Sequence, residues 1–162
     1  MRQWFVSIWV VGMLSFAGLA GSTVRGADSG PFRTSIIVER PISEAWAAIT
    51  LKRHVDAYYF APISADITRS GSPISYGTAQ QQMIVGKVVT LRAPSRLVHT
   101  FRFVGGDRHR ASLASYRLMA KGQRTLIEIE HGGFANDSQD YANIAMGWPI
   151  ILSRLKAHLE AR

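Results

Sequence analysis

Histidine is the residue type in this chain best suited to acid–base or ligand-binding chemistry near neutral pH, and five are present. His99 alternates with Leu97, Phe101 and Phe103, which predicts that its ring shares their face and points into an apolar interior. A neutral imidazole there can hydrogen-bond a small molecule or act as a base. The alternative is a core or rim histidine that bonds only to the backbone or to a tyrosine.

His131 closes a second alternating segment, where it shares a face with Ile127 and Ile129 and precedes Gly132 and Gly133. This position favours a structural role, in which the ring fixes the corner between a strand and the following helix. The remaining histidines stand alone in the sequence, with no spacing typical of a metal site: His54, His109 and His158. We therefore expect no metal.

No other group of residues predicts catalysis. Glu128 and Glu130 form a carboxylate pair, but they alternate with buried-type isoleucines and are expected to face solvent. The chain has no cysteine, which excludes disulfides, thiolate metal sites and thiol nucleophiles. No nucleophile elbow, phosphate-binding loop or dinucleotide fingerprint is present, so we expect no catalytic residue and no cofactor.

Short β-rich segments separated by turn residues must position these side chains. A strand is predicted at 32–40, and two short helices at 43–51 and 52–60 follow it. Six further strands are predicted at 63–68, 79–85, 87–92, 97–104, 112–119 and 125–131. Since no helix-length connection separates these segments, we expect an antiparallel meander.

The chain ends in a long amphipathic helix, predicted from a cap at Asn136, Asp137 and Ser138 and an apolar stripe spaced three or four residues apart. Pro149 lies inside this helix and predicts a kink. The class is therefore α+β. We expect a helix-grip fold, in which a curved antiparallel sheet of six to seven strands wraps around this helix and encloses an apolar cavity.

The residues expected to line the cavity come from both the sheet and the helix. They are His99, Phe101, Phe103, Tyr116, Ile127, Ile129, Tyr141, Ile144, Trp148 and Leu152. The same positions also fit plain core, because core and cavity wall share one face in this architecture.

The first residues have a different composition from the rest. Arg2 is followed by an apolar stretch from Trp4 to Ala20 and then by small residues, which predicts a cleaved signal peptide at 1–22. The alternative is an uncleaved anchor. A linker at 23–31 leads to one domain at 32–162, expected in the periplasm or secreted, without stable membrane insertion after cleavage.

The net charge of +8 does not by itself indicate nucleic-acid binding. The basic residues are scattered, and no run of five like charges occurs. We interpret them as a soluble basic surface and expect no nucleic-acid partner.

Several short segments in a fixed order resemble a known superfamily. They are Arg40 to Trp46, Gly86-Lys87-Val88, Ala93 to Val98, His131 to Phe134 and Gly147-Trp148-Pro149. Over about residues 32–161 the chain resembles the SRPBCC (START/Bet v 1-like) superfamily, and within it the family of activator of heat-shock-protein-90 ATPase homologues in its single-domain bacterial form. The chain departs from that family at Tyr58-Tyr59-Phe60, where a tryptophan is frequent, and in its signal peptide.

The resemblance implies a helix-grip fold with a cavity, but no particular ligand. Three hypotheses follow, and the first is a binding protein for a small apolar ligand. The second is an enzyme of cyclase, dehydratase or hydrolase type that uses His99 with a tyrosine such as Tyr116. The third is a co-chaperone-like interaction module. A closed, wholly apolar cavity would favour the first, a buried histidine–tyrosine or histidine–carboxylate pair at a cavity mouth the second, and a filled core with no cavity the third.

Overall fold

The computed structural model describes residues 30–106, 111–133 and 139–161. Its elements, in chain order, are β1 (Phe32–Val38), α1 (Ile42–Thr50), α2 (Lys52–Tyr58), β2 (Pro73–Gly77), β3 (Gln82–Arg92), β4 (Arg96–Phe103), β5 (Ser112–Lys121), β6 (Arg124–Gly132) and α3 (Gln139–Glu160). The strands form one antiparallel sheet in the order β1-β6-β5-β4-β3-β2. The predicted helix-grip fold is confirmed.

α3 packs against one face of this sheet through the predicted apolar stripe. The buried residues of the helix are Ile144, Trp148, Ile151, Leu152, Leu155 and Leu159. Pro149 lies inside the helix on its exposed side. Because proline has no N–H, the carbonyl of Ala145 lacks its usual intrahelical bond, which weakens the helix at this turn.

The alternation predicted around His99 is also confirmed. Leu97, His99 and Phe101 are buried, whereas Phe103, near the end of β4, is half-buried. The register places one row of core-facing residues across five strands: Val88, His99, Ala114, His131 and Phe32. Both histidines of interest therefore lie in a single row, with Ala114 between them.

The strand predicted at 63–68 is wrong. Ile63 makes only an isolated bridge to Tyr76, and the strand that pairs with β3 is β2, which starts at Pro73. Proline and glycine are most often turn residues, which hides this strand from a reading of the sequence pattern. Pro73 is tolerated because it is the first residue of a strand at the edge of the sheet, where a missing N–H costs least.

The two strands predicted at 79–85 and 87–92 are one continuous strand, β3, which passes through Gly86. A Cβ at this position would collide with the carbonyl oxygen of Thr100 on β4. Gly86 is therefore a point of close backbone approach within one strand and not a break between two strands.

Some predictions fall outside the described residues. They concern the signal peptide at 1–22, most of the linker at 23–31, His109, Phe134 and the helix cap at 136–138. Within the described residues, no helix combines the length and apolar character needed to cross a membrane.

Candidate functional site

A narrow apolar crevice opens between α3, β4 and the end of α2. Its walls are mostly aromatic and aliphatic: Tyr59, Phe60, Phe101, Phe103, Asn143, Ile144, Gly147, Trp148 and Ile151. Its volume is about 20 Å³. Ligand pockets of drug-like size are roughly 300–1,000 Å³, so the crevice as it stands has room for little more than a water molecule.

Beside the crevice, His131 is tied into a chain of hydrogen bonds that joins the helix to the sheet. Trp148 Nε1 donates to His131 Nδ1 over 3.0 Å, and His131 Nε2 lies 2.8 Å from Ser112 Oγ. Ser112 Oγ donates in turn to the carbonyl of Phe101 over 3.0 Å. Because an indole N–H can only donate, Nδ1 of His131 carries no proton, and Nε2–H is the donor to Ser112.

The environment keeps the His131 ring neutral. Burial, and secondarily the neighbouring His99, lower the pKa of His131 to about 3. Both ring nitrogens have partners, as a buried polar group requires. A structural role for His131 fits these contacts, since the ring holds α3 to the sheet through Trp148, and most of the corner that follows β6 lies outside the described residues.

His99 lies one strand beyond Ala114 and has a different bonding pattern. Its Nδ1 is 2.9 Å from the carbonyl oxygen of Thr100, an acceptor, so Nδ1 carries the proton. Nε2 is buried and has no hydrogen-bond partner among the described residues. Burial lowers the pKa of His99 to about 4, so the ring is neutral at pH 7 and Nε2 presents a bare lone pair.

Two aromatic residues connect His99 to the crevice. Its ring centroid is 6.2 Å from that of Phe101, which lines the crevice, and 6.0 Å from that of Tyr116. Tyr116 packs edge-on against Trp148, another wall residue, at 5.5 Å. His99 does not itself line the crevice, but it lies next to the wall residue Phe101 and next to Tyr116, which packs on the wall residue Trp148.

The buried tyrosines next to this wall are neutral and already bonded to one another. Tyr116 and Tyr76 share a hydrogen bond, and Tyr76 stacks on Tyr59 with ring centroids 4.5 Å apart. Burial raises the pKa of all three phenols above the ordinary value. His99 and Tyr116 are in contact, but no hydrogen bond joins them, since Nδ1 of His99 bonds to Thr100 and Nε2 has no partner.

The structure separates the predicted cavity residues into two groups. Those that line the crevice are Phe101, Phe103, Ile144 and Trp148. Those that do not line it are His99, Ile127, Ile129, Leu152 and Tyr116, which are buried, and Tyr141, which is half-buried. The buried aliphatic residues of the second group fit the alternative interpretation as plain core.

Sequence reasoning missed other wall residues: Tyr59, Phe60, Asn143, Gly147 and Ile151. Ile151 follows Trp148 at the three-residue spacing of a helix face, a signal that was available in the sequence. The position of Phe60 beside α3 depends on how the two helices meet, which no local pattern contains.

The histidines interpreted as isolated include a pair. His54 Nδ1 lies 3.0 Å from His158 Nε2, joining α2 to the last turns of α3. The two residues are 104 positions apart, which hides their proximity from any local pattern. In the described part of the chain, no three histidine or carboxylate side chains come together in a group that could hold a metal ion.

Several solved structures share the fold of this chain. No curated protein matches the sequence. CalU16 from Micromonospora echinospora superposes with a TM-score of 0.66 at 22% identity, over 80% of this chain and 76% of that chain. The Aha1 dimer from Colwellia psychrerythraea gives a TM-score of 0.69 at 17% identity, over 80% and 96%. An HSP90 activator from Plasmodium falciparum gives 0.67 at 15% identity, over 80% and 96%.

At these identities the solved structures establish the fold alone, and the sequence match to a family model is more specific. The model for "Activator of Hsp90 ATPase homolog 1-like protein" matches residues 39–160, which spans α1 to α3 and includes His99, His131 and Trp148. The chain therefore belongs to the activator of Hsp90 ATPase homolog 1-like family.

Proposed function

We propose that the protein binds a small, mainly apolar molecule in the crevice between α3 and the sheet, with His99 as the polar anchor. The observation that carries this proposal is the buried, unpartnered Nε2 of His99 behind an aromatic wall. Leaving a buried polar atom unsatisfied costs about 1–3 kcal/mol, so a bound group that reaches it is favoured. An apolar pocket with few polar groups is the usual design of a small-ligand site.

Binding requires the crevice to widen, and the structure has features that allow it. Phe60 is 45% exposed and forms part of the wall, so its ring can swing outward into solvent without displacing a fully buried side chain. A Cβ added to Gly147 would meet no atom within 4 Å, which indicates free space beside this turn of the helix. The bond missing at Pro149 makes the same turn easier to bend.

An acid–base enzyme is less well supported. With its pKa lowered to about 4, His99 is a weak base at neutral pH, below the range that suits general catalysis. Tyr116 shares its hydrogen bond with Tyr76, and no bond links it to His99. The geometry therefore favours a binding protein over a cyclase, dehydratase or hydrolase.

A protein-interaction role is the second candidate, because the core is nearly filled and apolar side chains lie outside it. Met146 and Ile150 are one helical turn apart on α3 and are 62% and 53% exposed. An HSP90 activator is among the similar structures, and a comparable role here would require a chaperone in the same compartment. This candidate predicts that Met146→Gln with Ile150→Gln abolishes a protein complex that His99→Phe leaves intact.

We further propose that the domain at 32–162 works outside the cytoplasm after removal of residues 1–22. The support is the apolar stretch from Trp4 to Ala20 and the small residues that follow it. N-terminal sequencing of protein from the extracytoplasmic fraction is expected to begin near residue 21 or 23. Met1 retained on soluble cytoplasmic protein would refute this localisation.

Native mass spectrometry of the exported protein tests the binding function. The expected spectrum contains a second species, heavier by one small molecule, which is depleted in His99→Phe. Unliganded protein in both samples, together with no binding of apolar dyes, would contradict the proposal.

A further inference from the structure

The protonation of His99 determines which ligand group it can bind. The carbonyl of Thr100 accepts the Nδ1 proton over 2.9 Å, and a neutral imidazole has only one N–H. Nε2 is therefore an acceptor without a proton. This is the opposite tautomer from that of His131, in which Trp148 donates to Nδ1 and the proton lies on Nε2.

Three donors in the core around His99 and His131 are already engaged. Trp148 N–H donates to His131, Ser112 O–H donates to the carbonyl of Phe101, and the phenol of Tyr116 bonds to Tyr76. A ligand carbonyl, ether or carboxylate that entered beside His99 would find none of these donors free. A ligand hydroxyl or N–H would find a free lone pair at Nε2.

From this pattern we infer that the ligand carries a hydrogen-bond donor on an apolar framework, as an alcohol, a phenol or an N–H heterocycle does, and that its donor bonds to His99 Nε2. This inference rests on the proposed function, whose site it specifies. A carboxylate is disfavoured for a second reason. The low pKa of His99 keeps the ring uncharged at neutral pH, so no cation compensates an anion in the buried space.

Pairs of probes in which methylation of a hydroxyl removes the donor provide the test. The pairs are 2-naphthol with 2-methoxynaphthalene, and phenol with anisole, so that probe size does not decide the outcome. Each is titrated into protein produced from the full chain, at pH 7. We expect the hydroxyl compound of each pair to bind about tenfold more tightly than its methyl ether, the factor that corresponds to one net hydrogen bond.

His99→Phe is the control variant, since it keeps an aromatic ring but removes the acceptor. It is expected to bind both members of a pair with the affinity of the ether. Equal affinities of hydroxyl and ether in the wild type would overturn the inference and leave the binding function standing. So would a preference for the hydroxyl that survives in His99→Phe, because the donor would then bond elsewhere. If none of the four probes binds, the proposed function and this inference both fail.

Discussion

His131 and His99 face the same core from the same row of the sheet, with only Ala114 between them. Both are buried, and burial lowers the pKa of each well below the ordinary value for histidine. They differ in how many of their ring nitrogens have a hydrogen-bond partner. His131 has a partner at each ring nitrogen, whereas Nε2 of His99 has none among the described residues. Burial therefore does not separate a structural histidine from a candidate binding residue, but the count of satisfied nitrogens does.

The largest effect on stability is expected from Trp148, the residue of α3 that donates a hydrogen bond to His131. Trp148→Ala removes a buried indole and leaves Nδ1 of His131 without its donor. We expect a loss of roughly 3–5 kcal/mol in the free energy of unfolding, out of about 5–15 in total. Trp148→Phe, measured in the same denaturant titration, should cost less because it keeps an aromatic ring. A midpoint close to that of the wild type for Trp148→Ala would show that the helix is held elsewhere.

The pH dependence of the free energy of unfolding should reflect the titration of both the His99 and the His131 imidazole. Their folded-state pKa values, about 4 for His99 and about 3 for His131, lie below the unfolded value of 6.5. The unfolded chain therefore binds more protons between these limits, and the stability present above pH 6.5 is lost as pH falls toward 4 and then 3. For His99 alone the loss is on the order of 3 kcal/mol.

Thermal unfolding across this pH range measures that loss. His99→Leu should make the plot of melting temperature against pH less steep between pH 6.5 and 4, because only the contribution of His131 remains there. A wild-type melting temperature that stays constant from pH 7 down to 4 would contradict this expectation, because it would show that both rings take up protons in the folded state as readily as in the unfolded chain.

A matched pair of substitutions tests the comparison itself. His131→Leu leaves the N–H of Trp148 buried without its acceptor and should destabilise the protein by about 1–3 kcal/mol. His99→Leu also removes a bond, to the carbonyl of Thr100, but it eliminates an unsatisfied nitrogen, so we expect a net change below about 1 kcal/mol. If chemical denaturation showed equal losses in the free energy of unfolding for the two variants, the distinction between the two histidines would be wrong.

The smallest effect is expected on the opposite face of the sheet. Glu130 pairs with Arg33 over 3.0 Å, and more than half of each side chain is exposed. An ion pair of this kind contributes about 0–1 kcal/mol. Glu130→Gln should therefore leave the melting temperature and ligand binding nearly unchanged, and a loss of binding would relocate the site to this face.

The sequence predicted the features that depend on local periodicity. The stripe around Trp148 and the alternation around His99 both repeat at the spacing of their element, so burial follows from spacing. β2 was missed because Pro73 and Gly77 are normally turn residues. The edge position explains the proline, and a register shift with a positive φ explains the glycine.

The bonding state of the histidines is a property of the folded chain and could not be predicted. It depends on the carbonyl of Thr100 for one ring and on the indole of Trp148 for the other. The indole belongs to α3, which approaches the sheet only in the folded chain. The proximity of His54 to His158 was missed for the same reason.

The central claim is that Nε2 of His99 is a free acceptor that a ligand donor occupies. Side-chain ¹⁵N NMR of the full chain at pH 7 observes this nitrogen directly, with His131 as an internal reference. We expect an unprotonated Nε2 in His99 whose resonance shifts on addition of 2-naphthol and not on addition of 2-methoxynaphthalene, while the resonances of His131 change little. A protonated Nε2 in the ligand-free protein, or no shift with 2-naphthol under conditions in which it binds, would contradict the claim.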